Sequence, residues 1–468
     1  MKKSDLYQII QKLTPEQRRS LQKFTHSPYH NLREDVKNLF AFLVKNAESD
    51  PAAVTFENAF AAAYPGQPFE MQQLRYCMSY LMKVTEQFLI DQAAKADPVQ
   101  NQLHLTSAYR KLGLEKNTRR ALERAVVLHE KNSQSGADFY EKNYLLETET
   151  YTYAEGTKRT APRNLQQVNH SLDLSYLAKK LKQSCLALSH GAVANVEYET
   201  GLLELILGHL ENAPWLDQHP AIALYFFYYR AATLEDNRYF EKLKNGLLQT
   251  GYLLPSEELR NVHLLAINYG IQRFNKGEEA YLHEVFDLYK SALGKDILLE
   301  NGRLSRFAFK NIAGIAIRLG EFDWTEGFIE SYQKNIEPHH RRNYTDYNLA
   351  KLHYARKDFG KAMKLLQQVE YEDVFLNLDA KVLLLKIYFE NDELEVLDSF
   401  INSFQRFLQR KKGLGYHREN YLNTLQFARR LISLNPFDKQ EKEGLKAEIE
   451  ETKALGEKEW LLEQLLGF

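Results

Sequence analysis

The sequence predicts an all-α chain: an α-solenoid of stacked antiparallel helix pairs with an N-terminal helical region. Three observations predict it. Apolar residues recur at helical spacing almost everywhere, and strand-like alternation is nearly absent. The 468 residues hold only 22 Gly and 12 Pro, fewer turn residues than a sandwich, a barrel or a doubly wound sheet needs. One helix-turn-helix punctuation recurs, with its anchors 37 and then 35 residues apart.

Residues 1–95 form an N-terminal helical region. Thr14-Pro15-Glu16-Gln17 opens a helix with a cap residue and a Pro in the first turn. Ser27-Pro28-Tyr29-His30-Asn31 and Tyr64-Pro65-Gly66-Gln67-Pro68 are loops. A long helix is expected over 70–91, with Leu74, Met78, Leu81, Met82, Phe88 and Leu89 along one face. Residues 96–300 read as degenerate helix pairs, with an apolar stripe at Leu202, Leu205, Ile206 and Leu210. The polar, basic segment Thr152 to Gln167 reads as a mobile loop. Pro98, Pro162, Pro214, Pro220 and Pro255 punctuate this region. Residues 301–412 carry the visible repeat, and 413–468 read as a helical cap ending in a charged helix.

Three segments align on their turns. The first is Asn311-Ile312-Ala313 with Gly320-Glu321-Phe322-Asp323 and Thr325. The second is Asn348-Leu349-Ala350 with Lys357-Asp358-Phe359-Gly360 and Ala362. The third is Leu384-Leu385 and Tyr388 with Asp392-Glu393-Leu394-Glu395. Weaker copies occur at Asn268-Tyr269-Gly270 with Gly277-Glu278-Glu279, and at Ala108-Tyr109 with Gly113-Leu114-Glu115. A small residue lets the paired helices approach, and an aromatic after the turn fills the gap to the next pair. One pair cannot bury its apolar face alone, so pairs stack.

These marks resemble the tetratricopeptide family, whose period is about 34 residues. The resemblance implies a superhelix whose first helices line a concave groove. Leu385 replaces a small residue, and Thr325 and Leu397 replace the Ala of the second helix. The whole chain also resembles a group of bacterial helical-repeat proteins, on Leu13-Thr14, Ser27-Pro28-Tyr29-His30-Asn31 and Leu74-Arg75-Tyr76 with Ser79-Tyr80-Leu81. That likeness implies no activity.

Charge and cysteine content exclude several classes. The 61 Lys+Arg and 62 Asp+Glu leave a net charge of -1, which argues against a polybasic nucleic-acid binder. Cys77 and Cys185 are too few for a disulfide framework or a thiolate-only metal site, and suit a reducing cytoplasm. Met1-Lys2-Lys3-Ser4-Asp5 has an acid where a signal peptide needs an apolar run. The longest apolar run, Ala221 to Tyr229, stops at Arg230, well short of the roughly 18 residues of a membrane span. A cytoplasmic protein is expected.

No catalytic or cofactor site is expected. His-Glu-x-x-His, Cys-x-x-Cys, a phosphate loop and a nucleophile elbow are all missing. His26 and His30 are separated by Pro28, and the adjacent His339 and His340 are expected to point apart, so no metal site is assigned. Glu370, Glu372 and Asp373 read as a solvated acidic face. The chain is read as a non-enzyme.

A partner surface is the stronger reading. Asn301 to Gly320 holds four bases and no acid, with Arg303, Arg306 and Lys310 at three- and four-residue spacing. Arg341 and Arg342 follow, and Tyr344, Tyr347, Lys351 and Tyr354 line a face of the next first helix. By the family resemblance, Lys310, Arg318, Tyr344, Tyr347, Lys351 and Tyr354 point into the groove, suiting an acidic peptide or chain terminus. The family's carboxylate clamp is matched by Lys310 and Asn348 but not by Gly314, Asp379 and Leu383, so a chaperone-tail clamp is not expected. The function expected is a non-enzymatic scaffold that binds a peptide or protein in its groove. The alternative is a nucleic-acid-binding regulator, with 55–64 and 70–91 as a helix-turn-helix. Arg110 to Lys131, and Arg406, Arg410, Lys411 and Lys412, supply further bases. That helix has only Arg75 and Lys83, and residues 201–300 carry nine bases against 14 acids, so a nucleic-acid partner is disfavoured.

Overall fold

A computed structural model describes residues 1–48, 50–132, 134–155, 163–367, 373–411, 414–415, 417–435 and 437–467. Among these residues the fold is all-α. Its only strands are two residues each, β1 (Leu299–Glu300) paired antiparallel with β2 (Arg303–Leu304). The chain forms two compact units, one of residues 1–229 and 250–255, the other of residues 230–249 and 256–468.

The first unit begins with α1 (Asp5–Lys12), α2 (Pro15–His26), α3 (Glu34–Glu48), α4 (Phe56–Ala63) and α5 (Met71–Lys95). Thr14 and Gln17 close a reciprocal capping box on α2, with Pro15 at the first helical position. The buried Arg18 guanidinium donates to the carbonyls of Ile10 and Gln11, so α2 caps the open end of α1. Leu6, Ile10, Leu39, Phe60, Leu74 and Leu81 pack into one core. The long helix expected over 70–91 runs four residues further, to Lys95. Both cysteines are buried and free.

The unit continues with α6 (Pro98–Lys111), α7 (Glu115–Glu130), α8 (Ala137–Glu155), α9 (Leu165–Ala194), α10 (Leu203–Leu210) and α11 (Pro220–Leu234), whose last residues enter the second unit. The helices α6 and α7 pack as a pair, as do α8 and α9. The segment read as a loop over Thr152–Gln167 is helical at both edges, and its residues 156–162 lie outside the described residues. Of the stripe expected on α10, Ile206 and Leu210 face inward as read, but Leu202 and Leu205 do not. Leu203, Ile206, Leu207 and Leu210 are buried, while Leu205 is 75% exposed. Short helices give few turns from which to phase a stripe. The run Ala221 to Tyr229 is buried on every side, as expected of a helix apolar all round.

The second unit holds α12 (Asn237–Gln249), α13 (Ser256–Asn275), α14 (Ala280–Gly294), α15 (Arg306–Arg318), α16 (Phe322–Tyr332), α17 (Pro338–Ala355), α18 (Phe359–Gln367), α19 (Val374–Glu390), α20 (Leu394–Arg410), α21 (His417–Ser433), α22 (Lys439–Glu451) and α23 (Lys458–Gly467). Helices α13/α14, α15/α16, α17/α18 and α19/α20 are hairpins. Each first helix from α15 to α19 also packs on the hairpin before it. This is the stacked arrangement that periodicity predicts.

The repeat turns share one geometry. Gly113, Gly277, Gly320, Lys357 and Asp392 all have left-handed φ, between 61° and 97°. In each, the left-handed residue donates its N–H three residues back, and the next residue donates five residues back, as in a Schellman closure. Seven residues before each lies a buried residue of the first helix: Thr106, Gly270, Ala313, Ala350 and Leu385. Seven residues is about two turns, so this residue and the turn share a face. Five residues after each lies the buried Thr118, Leu282, Thr325, Ala362 or Leu397. Gly270 shows why small residues belong there: a Cβ on it would sit 2.5 Å from Val285 Cγ2 of the paired helix.

Candidate partner-binding face

The first helices of the second unit carry most of the residues singled out in the sequence. Arg303 lies off them, on β2, exposed and 3.5 Å from Glu337. Arg306 opens α15. Its guanidinium lies 3.9 Å from Asp373, donates to His340 Nε2 and faces the Phe307 ring at 4.7 Å. The Tyr344 hydroxyl donates to the same Asp373 at 2.8 Å. Burial alone would raise the Asp373 carboxyl. The Tyr344 hydroxyl, the amides of Leu376 and Phe375, and Arg306 reverse that and hold it below the usual carboxylate range. Asp373 also caps α19 through those amides. Glu370 and Glu372, read with it as an acidic cluster, lie outside the described residues.

One turn along α15, Lys310 pairs with Asp379 of α19 and sits 5.9 Å from the Tyr347 ring. Asp379 also accepts from the Tyr421 hydroxyl of α21 at 3.1 Å. At the far end of α15, Arg318 pairs with Glu459 of α23 and stacks 4.6 Å over Phe274 of α13. On α17, Tyr354 donates to Glu390, which also takes Lys357 at 2.6 Å and the Trp460 indole N–H at 3.0 Å. Burial raises the Glu390 carboxyl, but these three donors outweigh it and depress it.

Lys351 differs from the others. Its Nζ would lie 3.1 Å from a Cβ placed on Gly314, so it rests against the α15 backbone where any side chain would crowd it. It has no hydrogen bond or ion pair with any described residue. Burial, then the nearby Lys386 and Lys310, push its ammonium below the usual lysine range, against the pull of Glu457 and Asp379. It borders a pocket of about 250 Å³ together with Lys310 and Arg318, walled by Ile271, Phe274, Leu282, Val285 and Ile315.

The structure therefore brings together Arg306, Lys310, Arg318, Tyr344, Tyr347, Lys351 and Tyr354, but not as an open row of charges and rings. Tyr344 and Tyr347 are buried, at 2% and 6% exposure. Arg341 turns back to the carbonyls of Lys334 and Ile336, which makes it a brace for the entry to α17. Arg342 is exposed and lies 3.5 Å from Asp346 on its own helix. Asn348, one of the two clamp matches, is fully buried. Sequence reasoning missed the acids that answer the cations: Asp373, Asp379, Glu390, Glu457 and Glu459. One signal was present, since Asp379 stands where the family pattern expects a base, and that acid holds Lys310.

His339 and His340 do not point apart. Both lie in the first turn of α17, their ring centroids 3.8 Å from each other, with a ligand atom of each within 4.8 Å of Glu337. A metal is still not assigned, because the Arg306 guanidinium occupies His340 Nε2 and sets a positive charge at the cluster. The helix proposed to read nucleic acid, α5, buries Leu74, Cys77, Leu81 and Phe88, and exposes Arg75 and Lys83 as its bases over 70–91. Of the third basic stretch, Arg406, Arg410 and Lys411 are exposed, and Lys412 lies outside the described residues. Among the described residues no helix is long and apolar enough to cross a membrane.

No protein-family model and no curated protein matches the chain. Among solved structures, the crystal structure of the yeast Tom70 is similar at 14% identity, covering 85% of this chain and 89% of that one, with a TM-score of 0.28. A superposition that loose adds nothing to the helix pairing seen directly.

Proposed function

We propose that this chain is a non-enzymatic interaction scaffold, and that the first-helix face of the second unit receives an acidic peptide or protein segment. One observation carries the reading: that face already holds an acidic, aromatic segment of the chain itself. Glu459, Glu457 and Trp460, in and just before α23, reach Arg318 of α15, Lys386 of α19 and Glu390 of α19 respectively. A surface that accepts one such segment has the charge pattern and the donor and acceptor spacing for another. The remaining rim charges, Arg303 and Arg306, extend it toward the β1–β2 hairpin.

The test is affinity capture of a partner from the native cell, followed by binding of the purified pair. Reversal of Arg303, Arg306 and Lys310 to Glu should weaken the complex at least tenfold, about 1.4 kcal/mol, with a steeper salt dependence in the wild type. A partner whose affinity ignores the three reversals, in variants that keep the native melting transition, would show that the face has been misassigned.

A further inference from the structure

We infer that the pocket bounded by α13, α14, α15 and α17 is a binding site for a small monocarboxylate carrying an apolar tail. The inference goes beyond the peptide reading, because the pocket is a recess of about 250 Å³ and not a track along the face.

Charge bookkeeping sets the head group. Three cations border the pocket, and two are already answered: Lys310 by Asp379, and Arg318 by Glu459. The Lys351 ammonium is left without an ion pair or hydrogen bond to any described residue. Lys351 is half-buried, and the fold meets its ammonium only with the more distant attraction of Glu457 and Asp379, so a close counter-charge would be favourable there. One added negative charge balances the site. A dianion overshoots, and a neutral ligand leaves the ammonium as it is. Gly314 keeps this arrangement open, since a Cβ there would press on Lys351 Nζ at 3.1 Å.

The walls set the tail. Ile271 and Phe274 come from α13, Leu282 and Val285 from α14, and Ile315 from α15. The Phe274 ring is also the face over which Arg318 stacks, so the apolar wall and the cationic mouth meet there. A mostly apolar recess with a few convergent polar groups is the usual make-up of a small-molecule site. The carboxylate sits at Lys351, and the tail lies against Phe274, Leu282 and Val285.

The probe is octanoate, titrated calorimetrically into the full chain at neutral pH, with octanamide as the neutral control. Saturable one-to-one binding is expected for octanoate, at least tenfold tighter than for octanamide. Lys351→Met should lose at least tenfold while keeping the melting transition, because Met keeps most of the apolar stem and removes the charge. A second measurement uses wild-type protein alone. Acylation of the Lys351 amine by a small amine-directed reagent, mapped by peptide mass, should slow when octanoate is present. Equal binding to the wild type and Lys351→Met, no binding at millimolar octanoate, or unchanged Lys351 acylation would overturn the site. Protection by a peptide with a free carboxyl terminus, with none by octanoate, would overturn the small-ligand assignment in particular.

Discussion

Asp35 shows how much one carboxylate can organise. Sitting in the first turn of α3, it takes two bonds from Arg33, at 2.5 and 3.1 Å, and one from the Tyr64 hydroxyl, which follows α4. Burial would raise it, but Arg33 and Tyr64 bring it down from 3.8 to about 2. A depressed acid stabilises the fold above its unfolded pKa and loses that contribution as pH falls through the folded value. Asp35→Asn is therefore expected to cost up to about 2 kcal/mol at neutral pH. The gap to wild type should close as the pH falls from about 4 to 2. Melting temperatures across that window check it, and a gap independent of pH would contradict the assignment. Single residues were also where the sequence was least legible. The family resemblance implies inner faces for Lys310 and Lys351, but the acids around them, Asp379 and Glu457, come from far along the chain. The same resemblance implies that Tyr344 and Tyr347 face a groove, yet both are buried. No local pattern carries that information.

At the scale of the hairpin, the turn is the best-conserved piece of geometry within the chain. The Gly and Asp turns were visible as punctuation, and so were Ala313 and Ala350. The left-handed conformation of Lys357 was not, because only its equivalence to Gly320 and Asp392 reveals it. Leu385 is buried where smaller residues stand in the other copies, and Leu397 is buried where two neighbouring copies have Thr325 and Ala362, so the third copy keeps the turn while changing what fills the pair. The φ of 77° at Gly320 makes Gly320→Ala destabilising by about 1 kcal/mol. Asp392→Gly, at φ 61°, should stabilise by a few tenths to about 1 kcal/mol. Urea unfolding of the two variants tests the pair, and a shift in the same direction for both would contradict the shared turn.

At the scale of the whole chain, fold class was legible because helical periodicity and scarce breakers act everywhere at once. The division into units was not. It falls at Tyr229–Arg230, inside the continuous helix α11, where no Pro or Gly marks a change. Prolines mark where helices stop, whereas a unit is defined by which helices share a core, and that is a property of side chains distant in sequence. The same limit hid the role of α23. As sequence it is a charged terminal helix, and as structure it buries Leu461 and Leu465 while its Glu459, and Glu457 just before it, reach back to α15 and α19. The most direct measurement of the proposed face is amine cross-linking of a captured partner to the full chain, read by mass spectrometry. Cross-links concentrated at Lys310, Lys351 and Lys386 are the predicted result. Cross-links confined to α5, or to the basic stretch from Arg110 to Lys131, would contradict it.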